Sequence, residues 1–234
     1  MASLDQYTML MTSLPQHSSL FVARHTPLSR IRLDQRLTML EDADAEQLRL
    51  VLDAEEWHRL QHVKNDADTV ALARRNLTLI ESPLLRTLVT DRLELRTVVS
   101  ALRRRHRGDP VPAPHEPWGF GRWMPIISAN WNEPGFRLEP TYPWLSEAVK
   151  LLQQRDALGF ERLILGTFWD HLGRATEDHF FDFEAVVIYV LRWDLIARWT
   201  SYDPQRAAQR FTELMDEGLG DTVKLFDEEV VYGQ

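Results

Sequence analysis

From Leu33 onward the apolar positions advance in steps of three and four: Leu33, Leu37 and Leu40, then Leu48, Val51, Leu52 and Leu60. That period lays one apolar stripe along a helix face, and Asp42 or Asp44 stands where a cap would separate two helices. Val70, Leu72, Leu77 and Ile80 carry the spacing into a third helix. Ser82-Pro83 reads as an N-cap and first helical residue and Gly108 as the residue past the end, which predicts one long helix over 83–107. At about 1.5 Å per residue it would run about 37 Å, longer than most helices of a compact domain. Upstream, Tyr7 to Leu14 mixes β-branched, aromatic and methionine residues and stops at Pro15. It fits either a short strand, the one minor β element expected, or a first helical turn.

The pattern breaks after Asp109. Pro110, Pro112, Pro114, Pro117, Pro125, Pro134 and Pro140, with Gly119, Gly121 and Gly135, predict a stretch without regular helix. Trp118, Trp123, Trp131 and Trp144 in and beside it mark an ordered connection packed on a body rather than an idle linker. Helical spacing then returns over 144–154, 158–174, 183–199 and 205–214, the last opened by Asp203-Pro204. The expected fold is all-α, about eight or nine helices in two clusters. Its parts are an N-terminal helical unit (1–108), a Pro/Trp-rich connection (109–143) and a C-terminal helical unit (144–234).

Composition narrows the function classes. The 234 residues contain no cysteine, which excludes disulfides, thiol nucleophiles and cysteine-ligated metals. No apolar run approaches the roughly 18 residues of a membrane span. The start, Met-Ala-Ser-Leu-Asp, lacks a basic then apolar leader, so a cytoplasmic protein is expected. A net charge of −8 opposes wholesale binding to nucleic acid or to an anionic membrane surface. Of the 27 basic residues only Lys64, Lys150 and Lys224 are lysines, and arginine favours bidentate carboxylate pairing.

Signatures of catalysis are sparse. Gly119-Phe-Gly121 lacks the spacing of a phosphate-cradling loop, and neither a Gly-x-Ser-x-Gly elbow nor a His-Glu-x-x-His helix occurs. The best metal candidate is Glu55 with His58 and His62, whose spacings put all three on one helical face. A dinuclear centre would need a second Glu-x-x-His, which the chain does not have. A second group of histidines and acids, from Asp170 and His171 through Glu177, Asp178, His179, Asp182 and Glu184, surrounds an expected turn. Arg103, Arg104, Arg105 and Arg107 complement the dipole at the end of the long helix, but four arginines in five residues exceed what one helix end needs. In an acidic chain they are the candidate interface for an acidic protein surface.

Three segments together resemble a known family: Tyr7-Thr-Met-Leu-Met-Thr-Ser-Leu-Pro15, Leu33-Asp-Gln-Arg-Leu37, and Phe181-Asp-Phe-Glu-Ala-Val-Val-Ile-Tyr189 followed by Arg192-Trp193 and Ile196-Ala-Arg-Trp199. The family is bacterial, and its genes lie among those of V/A-type ATPases, where its members occupy the place of the funnel-like coupling subunit. The resemblance implies an all-helical, non-catalytic protein without a cofactor. It would sit on the membrane rotor ring, form a socket for the central stalk and contact the membrane only through other subunits. The coupling subunit proper is longer and built from three similar helical units, so 234 residues correspond to a shortened version. The alternatives on the residues alone are a metal-dependent helical enzyme using Glu55, His58 and His62, and a helical adaptor unrelated to ATPases.

Overall fold

In a computed structural model the described residues are 4–55, 66–113 and 118–201, and among them the chain is all-α. The helices are α1 (Leu4–Ser13), α2 (Arg30–Leu37), α3 (Asp42–Glu55), α4 (Asp66–Leu79), α5 (Pro83–His106), α6 (Met124–Ala129), α7 (Leu145–Gln153), α8 (Ala157–Ala175) and α9 (Phe183–Ser201). The expected helix over 205–214 lies outside the described residues, as do His58 and His62. Glu55 ends α3.

The ambiguous start is helix. Leu10 and Leu14 are buried four residues apart, and the Thr12 hydroxyl donates to the Thr8 carbonyl, so helical period and local bonding agree. The long helix begins as its sequence signals: Pro83 opens it, and the Ser82 Oγ accepts from the Leu85 amide at 3.4 Å. Gly108 follows the end at φ +84°, the left-handed region that glycine enters without a Cβ penalty. Asp156 caps α8 by accepting from the Gly159 amide at 2.8 Å.

The proline-rich segment departs from the expectation of no helix. α6 forms inside it because Pro125 stands in the first turn, where the missing N–H would have no helical partner. A tighter turn follows, with Phe136 and Arg137 both left-handed at φ 57° and 58°. Phe136 is fully buried, and that burial holds a conformation costing a non-glycine residue about 1–2 kcal/mol.

Among the described residues two hydrophobic cores form. The first joins α1 to α4, the front of α5 (Leu85 to Leu93), the back of α8 (Leu165 to Leu172) and α9. The second joins the back of α5 (Leu95 to Leu102), Trp118, Ile127, Trp131, Phe136 and Leu138, α7, and the front of α8 (Phe160, Ile164). Trp118 and Trp131 are buried with their rings 6.4 Å apart, so the proline-rich segment supplies much of the second core. Removing either ring should cost about 3–5 kcal/mol. The cores cut across the linear division at 108 and 143: α9 packs on α1 from the far end of the chain, while α5 and α8 pass through both.

Candidate functional site: an arginine-lined groove on the central helix

α5 carries three buried polar side chains, Arg92, Glu94 and Thr97, among its leucines and valines. Such groups need partners, and the chain provides them. Gly119-Phe-Gly121, which has no phosphate-loop spacing, lies flat on α5 instead. The Phe120 amide donates to Thr97 Oγ1 at 2.8 Å and the Arg122 amide to Glu94 Oε1 at 3.1 Å. The close approach requires glycine: a Cβ at Gly119 would overlap Thr97, and one at Gly121, which has φ +97°, would overlap Glu94.

Above this strip runs a groove of about 380 Å³, bounded by α5, α8 and the last turns of α9. Among the described residues Trp118 and Ile164 line it together with Arg92, Arg96, Arg103, Arg107 and Arg198, against one acid, Glu161. Glu161 is buried. The Arg198 guanidinium lies 2.6 Å from its Oε1, an ion pair outside hydrogen-bond alignment, and Arg103 Nη2 lies 3.9 Å from its Oε2. Arg92 stacks over the Phe168 ring at 4.1 Å and Arg103 over Phe160 at 5.2 Å, so aromatic faces hold the guanidinium planes in place. Five lining arginines against one lining acid make the groove a positive concavity on a chain of charge −8.

The four arginines expected to form an interface do not share one role. Arg103 and Arg107 line the groove and keep half or more of their side chains exposed. Arg107 also pairs with Asp109 at 2.7 Å, and Arg104 reaches the same carboxylate at 4.0 Å. Arg105 turns the other way: its Nε donates to the Trp131 carbonyl at 2.9 Å and its Nη2 to that of Asn132 at 3.1 Å, clamping the proline-rich segment to α5. Arg92, Arg96 and Arg198 complete the groove. Arg92 and Arg96 follow Arg103 backwards along α5 at helical spacing, a signal present in the sequence, whereas Arg198 arrives by tertiary packing alone.

The second acidic and histidine group separates. His171 turns to α5, its Nε2 3.2 Å from Asp91 Oδ2. His179, Asp182 and Glu184 gather at the start of α9 with ligand atoms within 4.8 Å of one another. Each is already engaged: His179 Nδ1 with Asp182 Oδ2 at 2.6 Å, Asp182 Oδ1 with the Ala185 amide at 2.9 Å, and Glu184 with the Ser82 hydroxyl at 2.8 Å. Those bonds account for the cluster as the cap and anchor of α9.

No family model matches this chain, and no curated protein or solved structure is significantly similar to it.

Proposed function

We propose that this chain is a non-catalytic coupling subunit of a V/A-type ATPase, linking the central stalk to the membrane ring. In this reading the arginine groove receives an acidic element of a stalk or ring partner. The observation that carries the proposal is the way the three family-like segments meet. They lie far apart in the sequence, yet α1, α2 and α9 interlock as one unit. The Tyr189 hydroxyl donates to the Pro15 carbonyl at 2.9 Å, and the Trp193 indole donates to the Leu28 carbonyl just before α2 at 2.9 Å. Arg36 of α2 donates to the Ser13 carbonyl at 2.9 Å, and Arg30 pairs with Asp194 at 3.8 Å. The resembling residues are therefore the joinery of one structural unit rather than scattered apolar matches. The described helices add consistent architecture, since none is long and apolar enough to cross a membrane.

The test is affinity purification of the tagged protein from gently solubilised membranes of its own host, with mass spectrometry of what stays bound. Recovery of ATPase catalytic, stalk and ring subunits is expected. Reproducible recovery of an unrelated soluble complex without them would replace this reading with that of a helical adaptor.

A further inference from the structure

A second cleft, of about 410 Å³, opens beside α9. Its walls come from three places: the turn after α1 (Pro15 to His17), the back of α8 (Trp169, Thr176) and one face of α9 (Ile188, Tyr189, Arg192). His179 and the exposed Phe180 stand at its edge. That volume falls within the range of small-molecule sites, about 300–1,000 Å³.

The chemistry inside is specific. His17 lies against Tyr189 with ring centroids 4.1 Å apart and meets Trp169 edge-on at 6.2 Å, so the three rings pack on one another as an aromatic wall of the cleft. Arg192 lies over the Trp169 ring at 4.7 Å. Its guanidinium fits there because position 173 is glycine: a Cβ would stand 3.0 Å from Arg192 Nη2. Two buried polar atoms of that wall, His17 Nε2 and Arg192 Nε, have no hydrogen-bond partner among the described residues. Burial lowers the Arg192 pKa and the charge of Asp170 raises it, with burial the larger influence. A half-buried cation at an aromatic wall is costly to leave without an acceptor, and a carboxylate brought to that wall answers it.

We propose that this cleft binds a small carboxylate with a flat apolar body, the carboxylate pairing with the Arg192 guanidinium while the body lies against the aromatic wall of His17, Trp169 and Tyr189. The assignment is independent of the ATPase reading, because it uses none of the groove's residues. Guanidinium and carboxylate are geometrically matched, and the aromatic walls select a planar body over a bare inorganic anion.

The test uses the full chain and three probes: phenylacetate, its neutral isostere phenylacetamide, and inorganic phosphate. Calorimetry and ligand-observed NMR on the wild type should show phenylacetate binding with Kd of about 1 mM or tighter, with the amide and phosphate weaker by about tenfold or more. Arg192→Gln should weaken phenylacetate by about tenfold or more, whereas His17→Phe, which keeps a ring in the wall, should change it by less than about threefold. Should Arg192→Gln fail to fold, Gly173→Ala perturbs the same guanidinium from a position that does not line the cleft, and the acid-against-amide contrast needs no variant at all. Equal binding of acid and amide, binding by phosphate alone, or no binding of phenylacetate to the wild type at about 10 mM would each overturn the proposal.

Discussion

The two concavities differ in how they treat the same side chain. In the groove on α5, arginines are numerous, several are half exposed, and a buried Glu161 sits among them. In the cleft beside α9, Arg192 is half-buried and stacked on an indole, with the Asp170 charge raising its pKa against the larger effect of burial. Exposed cations act over about a Debye length of 8–10 Å and are weakened by salt, so the groove attracts acidic surfaces without discriminating finely among them. A half-buried cation held against an indole face acts at bonding distance and discriminates by shape. Arginine number sets reach; arginine burial sets selectivity.

That contrast can be broken from the groove side first. Glu161→Ala removes the buried carboxylate shared by Arg198 and Arg103 and should cost about 2–3 kcal/mol, because two partly exposed guanidiniums lose their counter-ion and the buried side chain leaves a cavity. Urea unfolding should show a lower midpoint at unchanged slope; an unchanged midpoint would mean that the arginines do not depend on Glu161. Gly121→Ala should cost about 2–3 kcal/mol through its φ of +97° and its overlap with Glu94. Because the strip it disrupts floors the groove only, phenylacetate binding in the cleft should survive the substitution, which calorimetry can check.

The cleft is sharpened by pH. His17 is pushed down to about 4 from its ordinary 6.5, by burial first and by the Arg192 charge second. Above pH 6.5 the ring is neutral whether the chain is folded or not. Between 6.5 and 4 only the unfolded chain takes up the proton, so stability falls as pH falls through that window. The full shift corresponds to about 3 kcal/mol, and partial exposure reduces it to about 2 kcal/mol. Thermal melts at about pH 7 and about pH 4.5 should therefore diverge more for the wild type than for His17→Phe; equal divergence would remove His17 as the cause. The smallest effect on stability belongs to the groove rim. Arg103→Glu with Arg107→Glu should change folding by about 0.5 kcal/mol or less, since both side chains are half exposed or more. The same pair should reduce association with the partner complex and flatten its salt dependence. Unchanged capture at physiological salt would count against the groove as the docking face.

The helices were legible wherever local chemistry and period agreed. Ser82-Pro83, Asp156 and Gly108 mark ends that the structure honours because each satisfies or releases a backbone group locally. Tyr7 to Leu14 stayed open because a strand and a helix both accept that residue mixture, and burial of Leu10 and Leu14 decides it. α6 was concealed by Pro125, which breaks a helix interior and opens a helix start. The functional surfaces were legible in halves. Arg103 and Arg107 could be read as a charge cluster, but that Arg105 faces inward to Trp131 depends on where the proline-rich segment packs. The aromatic cleft was not legible at all: His17 is far in the chain from Trp169 and Arg192, and the three share no spacing.

The passage of α5 and α8 through both cores bears on how the molecule comes apart. A helix shared by two hydrophobic clusters cannot melt for one and persist for the other without exposing apolar surface on both. Unfolding should therefore be a single cooperative event, and neither core forms a separable folding unit that a cut at 108 or 143 would release intact. A load taken up by the first core through α9 reaches the tryptophan-bearing second core along the backbones of α5 and α8, which belong to both.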